Sequence, residues 1–303
     1  MIADYVETVR LLLAVAPSFF REAGFALKGG TAINLFHHDM PRLSVDLDLV
    51  VTDYETGREE ALHSIAESLD RAESELTGLG FTCEKGASGE GDEVKLFVSR
   101  ERQRVKVEVN HVFRGTVLPI ESRALAPEAQ DLFFTDLEIP VLHPDELYGS
   151  KLVAAMDRQH PRDLFDVLML YEQGGLTEGV VECFVSYLAG HNRPVHEVLF
   201  ANEIEIAAAF ENEFEGMTQE VVSLDDLLDI RRRLFIELPN CLTEDHRSFL
   251  AGLVQADPDW SLMACEHLAA MPAIRWKLAN LKRLRGSNPE KFSAQGTELK
   301  KRW

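Results

Sequence analysis

Ser44-Val45-Asp46-Leu47-Asp48-Leu49-Val50-Val51 is the stretch on which the reading of this chain turns. Val45, Leu47, Leu49 and Val51 alternate with Ser44, Asp46 and Asp48, a period of two that belongs to a strand with one buried face. Asp46 and Asp48 then leave the strand from its other face, close enough to share a cation. Two like charges held together are costly unless neutralised, and hard oxygen donors favour Mg²⁺ or Mn²⁺. Alone, Asp-x-Asp more often marks a solvated edge strand. What changes the reading is the segment just upstream, Lys28-Gly29-Gly30-Thr31. It lies between the short apolar run Phe25-Ala26-Leu27 and a brief helical pattern over 32–37 closed by Pro41. Glycines at such a turn let backbone amides approach phosphate oxygens, and Thr31 adds a hydroxyl. Lys28 and Arg42 flank the two motifs and bring positive charge suited to a triphosphate.

Further along, Val105-Lys106-Val107-Glu108-Val109-Asn110 repeats the alternation, so Glu108 shares a face with Lys106 and Asn110. Metal-assisted phosphoryl chemistry commonly uses a third carboxylate, which helps hold metal and accept the proton of the attacking hydroxyl. An exposed glutamate paired with Lys106 or Arg104 fits the same pattern. Lys95 lies on a strand outside this set. Lys151, in Glu146-Leu147-Tyr148-Gly149-Ser150-Lys151-Leu152-Val153, is surrounded by apolar and small residues, which suits a phosphate-facing amine at the edge of the core. Asp163 and Asp166 follow at i,i+3, and Arg162 and Asp166 at i,i+4, on one helix. They form either an ion-pair network that clamps the helical half onto the sheet or a group acting directly on nucleotide and acceptor. Both roles are compatible.

At 303 residues the chain has room for two domains. Its hydrophobic content of 46% and charged content of 27% are ordinary for a globular protein. No apolar run approaches the roughly 18 residues of a membrane span. The apolar stretch 9–20 follows two acids without a basic start or a cleavage site, which argues against a signal peptide and leads us to expect a cytoplasmic protein. Cys83, Cys183, Cys241 and Cys265 are scattered, without a Cys-x-x-Cys pair, and suggest reduced core thiols. The histidines form no metal constellation; His160 reads as a cap or loop residue. The net charge of −20 argues against non-specific binding of nucleic acid over the whole surface. From Arg275 onward, however, nine basic residues stand against Glu290 and Glu298. That end is either a local nucleic-acid grip or a solvated tail. Arg275, Lys277, Lys282 and Arg285 share part of one helical face, with Trp276, Leu278 and Leu281 left to anchor the helix.

The first half alternates helices over 3–22 and 55–76 with strand-like runs over 81–85, 94–99 and 105–113, and the glycines and acids of 86–93 make a turn. Strands so closely spaced pair antiparallel, which gives a mixed sheet and excludes a doubly wound one. From 143 the pattern is helical: 145–158 with Asp145 at the N-cap, 161–173, 178–189 after Thr177, 194–213, 224–238, 244–256 and 272–285. Ser223 with Asp226 forms a capping box. The expected fold class is α+β. A domain over 1–142 carries a mixed, partly antiparallel sheet flanked by helices, a helical domain over 143–285 contributes Lys151 and Asp163 to the cleft, and 286–303 is a polar tail.

Taken together, Lys28 through Ala32, Arg42 through Asp48, Glu146 through Ala155 and Arg158 through Asp166 resemble the AbiEii/MenT nucleotidyltransferase-like toxins over about half the chain. The resemblance implies a DNA polymerase β-like fold and a toxin of a toxin–antitoxin or phage-defence (abortive infection) operon. It also implies NTP as substrate, Mg²⁺ or Mn²⁺ as cofactor, the 3′ end of tRNA as acceptor and an antitoxin protein as partner. Gly30 and Thr31 would hold triphosphate, Asp46 and Asp48 metal, while Lys151, Arg162 and Asp163 fall on the family's downstream motif. Thr31 stands where the wider superfamily usually has serine, which keeps the hydroxyl. The alternatives are transfer to a protein or small molecule, or a non-catalytic binding protein on the same fold.

Overall fold

The alternation around Asp46 and Asp48 forms a strand because Leu47 and Leu49 are fully buried while both aspartates remain partly exposed. The computed structural model describes residues 3–21, 24–86 and 93–303. They divide into two units, Met1–His143 with Glu215–Val221, and Pro144–Phe214 with Val222–Trp303.

In the first unit the strands are β1 (Phe25–Lys28), β2 (Asp46–Val51), β3 (Thr82–Lys85), β4 (Glu93–Arg100), β5 (Gln103–Asn110), β6 (Glu121–Ala124) and β7 (Glu138–Val141). They form one sheet in the order β3-β4-β5-β2-β1-β7-β6. β2 runs parallel to β5 and β1 parallel to β7; the other neighbours are antiparallel. The sheet is therefore mixed, as expected, with β6 and β7 added at an edge that periodicity in the sequence did not reveal. Helices Ala3–Val15 and Arg58–Gly78 flank it. Val105, Val107 and Val109 are fully buried, and so are Leu96 and Val98 on the paired strand. Removing a side chain of this kind typically costs about 2–5 kcal/mol for Leu→Ala.

Several boundaries differ from expectation. β5 stops at Asn110 and does not run to 113, because Asn110 Oδ1 accepts from the backbone N–H groups of Val112 and Phe113 at 2.9 and 2.8 Å. The brief helix after the Gly-Gly turn is α-helical over Gly29–Ala32 and a π-helix over Ile33–His37. The turn expected over 86–93 lies, between 87 and 92, outside the described residues.

The second unit is helical. Helix Pro144–Asp157 begins at Pro144, so Asp145 sits in its first turn and not at the N-cap. It crosses helix Glu178–Gly190 at Gly149, where a Cβ would lie 2.5 Å from Cys183 Cβ. The segment expected as one helix over 194–213 is two, Val195–Leu199 and Ala207–Glu213. The backbone between them is held by side chains instead. Gln159 donates to Asn202 O at 2.7 Å and accepts from Ile204 N, and Arg231 donates to Ile204 O at 2.6 Å. The capping box of Ser223 and Asp226 starts helix Leu224–Cys241. Helix Glu244–Val254 and helix Pro272–Ser287 follow.

Residues 286–303 do not form a polar tail: Pro289–Lys301 is a helix, capped by Asn288, with Phe292 and Leu299 buried. Composition hid the spacing of 292, 295, 296 and 299, which is that of one buried stripe. Helix Pro272–Ser287 is anchored by Leu281, but Trp276 is 54% exposed and Lys277 is buried, the reverse of what was expected for both. All four cysteines are free; Cys183 and Cys265 are core thiols, whereas Cys241 is exposed. No helix among the described residues is long and apolar enough to cross a membrane.

Candidate active site

Strand register builds the site. Lys28 of β1 pairs with Asp48 of β2, Asp48 with Glu108 of β5, and Glu108 with Lys95 of β4. Directly paired residues project to the same face, so four strands present Lys28, Asp48, Glu108 and Lys95 as one row. Asp46, two residues before Asp48, pairs with Lys106. Both oxygens of Glu108 are engaged: Lys95 Nζ lies 2.7 Å from Oε1 and Lys106 Nζ 3.0 Å from Oε2. Lys106 also stands 3.8 Å from Asp46 Oδ1. Partial burial acts to raise the Glu108 carboxyl, but hydrogen bonds and charge from Lys95 and Lys106 overcome it and hold the group below its ordinary value.

The Gly-Gly turn closes over this face. Gly29 has φ +75°, and a Cβ there would meet Asp48 Oδ2 at 2.3 Å. Glycine alone allows both the backbone conformation and the close approach. At Gly30 a Cβ would meet the Arg42 guanidinium at 2.6 Å and Ser44 Oγ at 2.9 Å. Arg42 is thus packed behind the turn, only 2% exposed, donating to Leu43 O at 2.9 Å. Thr31 is buried, and its hydroxyl donates to the backbone carbonyl of Asp46 at 2.5 Å, tying the turn to the strand that carries the carboxylates. Asn34 donates to Gly30 O at 2.9 Å, bracing the turn from the π-helix.

Asp46 and Asp48 present hard oxygen donors on one face, a donor set suited to a divalent cation. As the side chains stand, no three His, Cys, Asp or Glu among the described residues are grouped to hold a metal, since Glu108 is turned to its lysines. A cavity of about 340 Å³, lined by Gly24, Phe25, Val51 and Asp53, lies at the other end of β1 and β2 and contains none of these residues.

The helical unit has its own charged cluster. Lys151 is 7% exposed, and its Nζ lies 2.8 Å from Asp163 Oδ1 and 3.0 Å from Asp166 Oδ2. Arg158 adds hydrogen bonds to both oxygens of Asp163, at 2.6 and 3.0 Å. Burial acts to raise Asp163, but the charges of Lys151 and Arg158 outweigh it and hold the carboxyl far below the ordinary range. Arg162 Nη2 lies 3.8 Å from Glu213 Oε2. His160 caps helix Pro161–Glu172 by accepting from Arg162 N. Lys151, Arg158, Asp163 and Asp166 thus form an ion-pair network.

A family model for the nucleotidyl transferase AbiEii toxin of type IV toxin–antitoxin systems matches residues 10–280. The chain belongs to the AbiEii family. It is a nucleotidyltransferase of that toxin family. Its fold is similar to that of MenT4, a nucleotidyltransferase toxin from Mycobacterium tuberculosis, at 20% identity and a TM-score of 0.59, covering 92% of this chain and 94% of that one. A search of curated proteins finds no match.

Within this AbiEii chain, sequence reasoning missed Lys95, which was set outside the motif residues, and the buried Ser44 against Gly30. Lys95 was recoverable from hairpin register. Arg100 pairs with Gln103 across a two-residue turn, and counting back from that turn sets Lys95 opposite Glu108. No local signal marks Arg42 as buried.

Proposed function

We propose that this AbiEii nucleotidyltransferase moves a nucleotide from an NTP to an RNA acceptor, the 3′ end of tRNA. The observation that supports the reading most is the row of Lys28, Asp48, Glu108 and Lys95, with the Gly29 backbone packed onto Asp48. Asp46 and Asp48 are the residues to hold Mg²⁺ or Mn²⁺, which when bound supplies Lewis-acid neutralisation of triphosphate charge. Lys28, Gly29 and Gly30 receive the triphosphate. The Thr31 hydroxyl, expected to join them, instead donates to the Asp46 carbonyl and ties the turn to β2. Arg42 supports the turn from behind and adds positive charge. The acceptor hydroxyl oxygen bonds to the α-phosphorus as the bond to the bridging oxygen breaks. Pyrophosphate leaves, and the hydroxyl proton passes to a carboxylate, for which Glu108 is the candidate. Lys151 and Arg162 are assigned to nucleotide binding and transfer, with Asp163 and Asp166 orienting the Lys151 ammonium.

The type IV family supports a cognate antitoxin protein as partner, and NTP and tRNA as substrates place the activity in the cytoplasm. The deciding experiment incubates the protein with each labelled NTP and total cell extract, with and without EDTA, and separates RNA from protein. EDTA-sensitive label in the tRNA fraction is expected. Label in the protein fraction instead moves the acceptor to a protein, and label unaffected by EDTA removes the metal.

A further inference from the structure

We propose that the helical unit carries a second nucleic-acid site. It is a groove between helix Pro272–Ser287 and the turn around 190–194 that takes single-stranded RNA, with a base stacked on Trp276 and phosphate against Lys291. The inference rests on the RNA-acceptor reading above.

The groove is a cavity of about 210 Å³ lined by Gly190, Asn192, Trp276, Asn280, Lys291 and Gln295, among others. Three features suit it to RNA. First, Trp276 is 54% exposed at the rim, although its neighbours Ile274 and Lys277 are buried. A large aromatic face on the surface is costly to hydrate, and every base offers a π-face to stack on it. Second, the amides of Asn192, Asn280 and Gln295 offer donors and acceptors for the edge of an unpaired base, the form in which RNA sequence is read. Third, Lys291 lines the groove and is exposed, which sets a cation at its wall in a chain whose net charge is −20. A lysine at the wall of an aromatic-rimmed groove offers a backbone phosphate its counter-charge beside the stacked base.

The groove is also built before any ligand arrives. Lys277 is not a surface charge: its Nζ donates to His191 O at 2.8 Å and to Arg193 O at 2.6 Å, pinning the 190–194 wall to the helix. A preformed wall removes the ordering cost that a mobile loop would add to binding.

The test is fluorescence anisotropy of labelled tRNA and of a labelled unpaired RNA oligonucleotide across a salt series, using the full chain. Trp276→Ala is expected to weaken binding of both RNAs about tenfold and Trp276→Phe to restore most of it, as stacking requires. Lys291→Ala is expected to reduce the salt slope by about one. NTP affinity stays unchanged in all three variants, and thermal melting checks that each is folded. Equal RNA affinity in wild type and Trp276→Ala overturns the groove while leaving transfer to RNA intact. Loss of affinity for an antitoxin protein with RNA affinity unchanged assigns the groove to protein and overturns the RNA assignment. Absence of RNA binding by wild type, together with absence of label in RNA, overturns both readings at once.

Discussion

Gly29 and Asp48 approach so closely that a methyl group on Gly29 would lie 2.3 Å from Asp48 Oδ2. The backbone of the Gly-Gly turn therefore packs against one of the two carboxylates proposed to hold metal, with no room for a side chain between them. Thr31 reinforces the link from the same turn through its bond to the Asp46 carbonyl. The triphosphate and metal roles proposed for these residues are thus expected to be coupled by contact.

Gly29→Ala is the sharpest probe of that coupling. The substitution forces a Cβ into a positive-φ conformation, which costs about 1–2 kcal/mol, and drives the Asp48 carboxylate from its place. Transfer is expected to fall about 10²-fold, in line with loss of one positioned charge contact, with a modest drop in Tm. Gly57→Ala has open space around its Cβ and should change neither. A transfer assay with parallel thermal melts reads both, and full activity in Gly29→Ala would refute the coupling.

Asp48→Ala removes a proposed metal ligand without touching Leu47 or Leu49, whose burial holds the strand. We expect transfer to drop about 10²-fold or more while Tm stays near wild type. Measured turnover at saturating metal decides it; unchanged turnover removes Asp48 from the site.

Glu108 separates an electrostatic role from a proton-transfer role. Its carboxyl sits below its ordinary value of 4.5, held there by Lys95 and Lys106 against the effect of burial. It is therefore charged throughout the neutral range, and any acid limb it contributes to the rate lies below pH 4.5. Lys106→Ala removes one of the groups that lowers it, so that limb is expected to move to higher pH. Stability should hardly change, because Lys95 and Lys106 are substantially exposed and such pairs contribute about 0–1 kcal/mol. The pH dependence of transfer in wild type and Lys106→Ala is the measurement, and superimposable limbs would exclude Glu108 as the proton acceptor.

The Lys151 cluster makes a prediction about acid stability. Lys151 and Arg158 hold the Asp163 carboxyl in the folded state far below its ordinary value of 3.8. Between those values the unfolded chain binds more protons than the native one, so stability rises with pH through that window and is level above it. Urea midpoints from pH 2 to 7 should show wild type losing stability below about pH 4, with Asp163→Asn losing less. Lys151→Met leaves two buried carboxylates without their ammonium and is expected to cost about 3–5 kcal/mol at pH 7. Lys151→Arg should not restore activity, since a planar guanidinium does not replace a compact ammonium between Asp163 and Asp166. Wild-type acid stability in Asp163→Asn equal to that of the parent would show that the pair contributes nothing.

Much of the sheet unit was legible because its information is local. Leu47 and Leu49 alternate with Asp46 and Asp48, and Val105 through Val109 do the same around Glu108, so each strand announces its own buried face. Ser223 with Asp226 announces a helix start in the same way, by a hydrogen bond within four residues. β6 and β7 were not legible. Their burial alternates over four residues each, too short a run to separate from loop.

What the sequence by itself determined is which residues leave each strand or helix together: the two aspartates on one face, Glu108 with Lys106, Asp163 with Asp166. Tertiary structure alone decided what those faces meet. It set Lys95 against Glu108 through register, buried Arg42 behind Gly30, and broke the helix expected over 194–213 by supplying Gln159 and Arg231 to its backbone. It also turned Trp276 outward and Lys277 inward. The physical reason is range. Periodicity and capping are settled within a few residues of chain, whereas burial of a charge or exposure of an aromatic depends on partners tens of residues away, whose positions are settled only when the whole core closes.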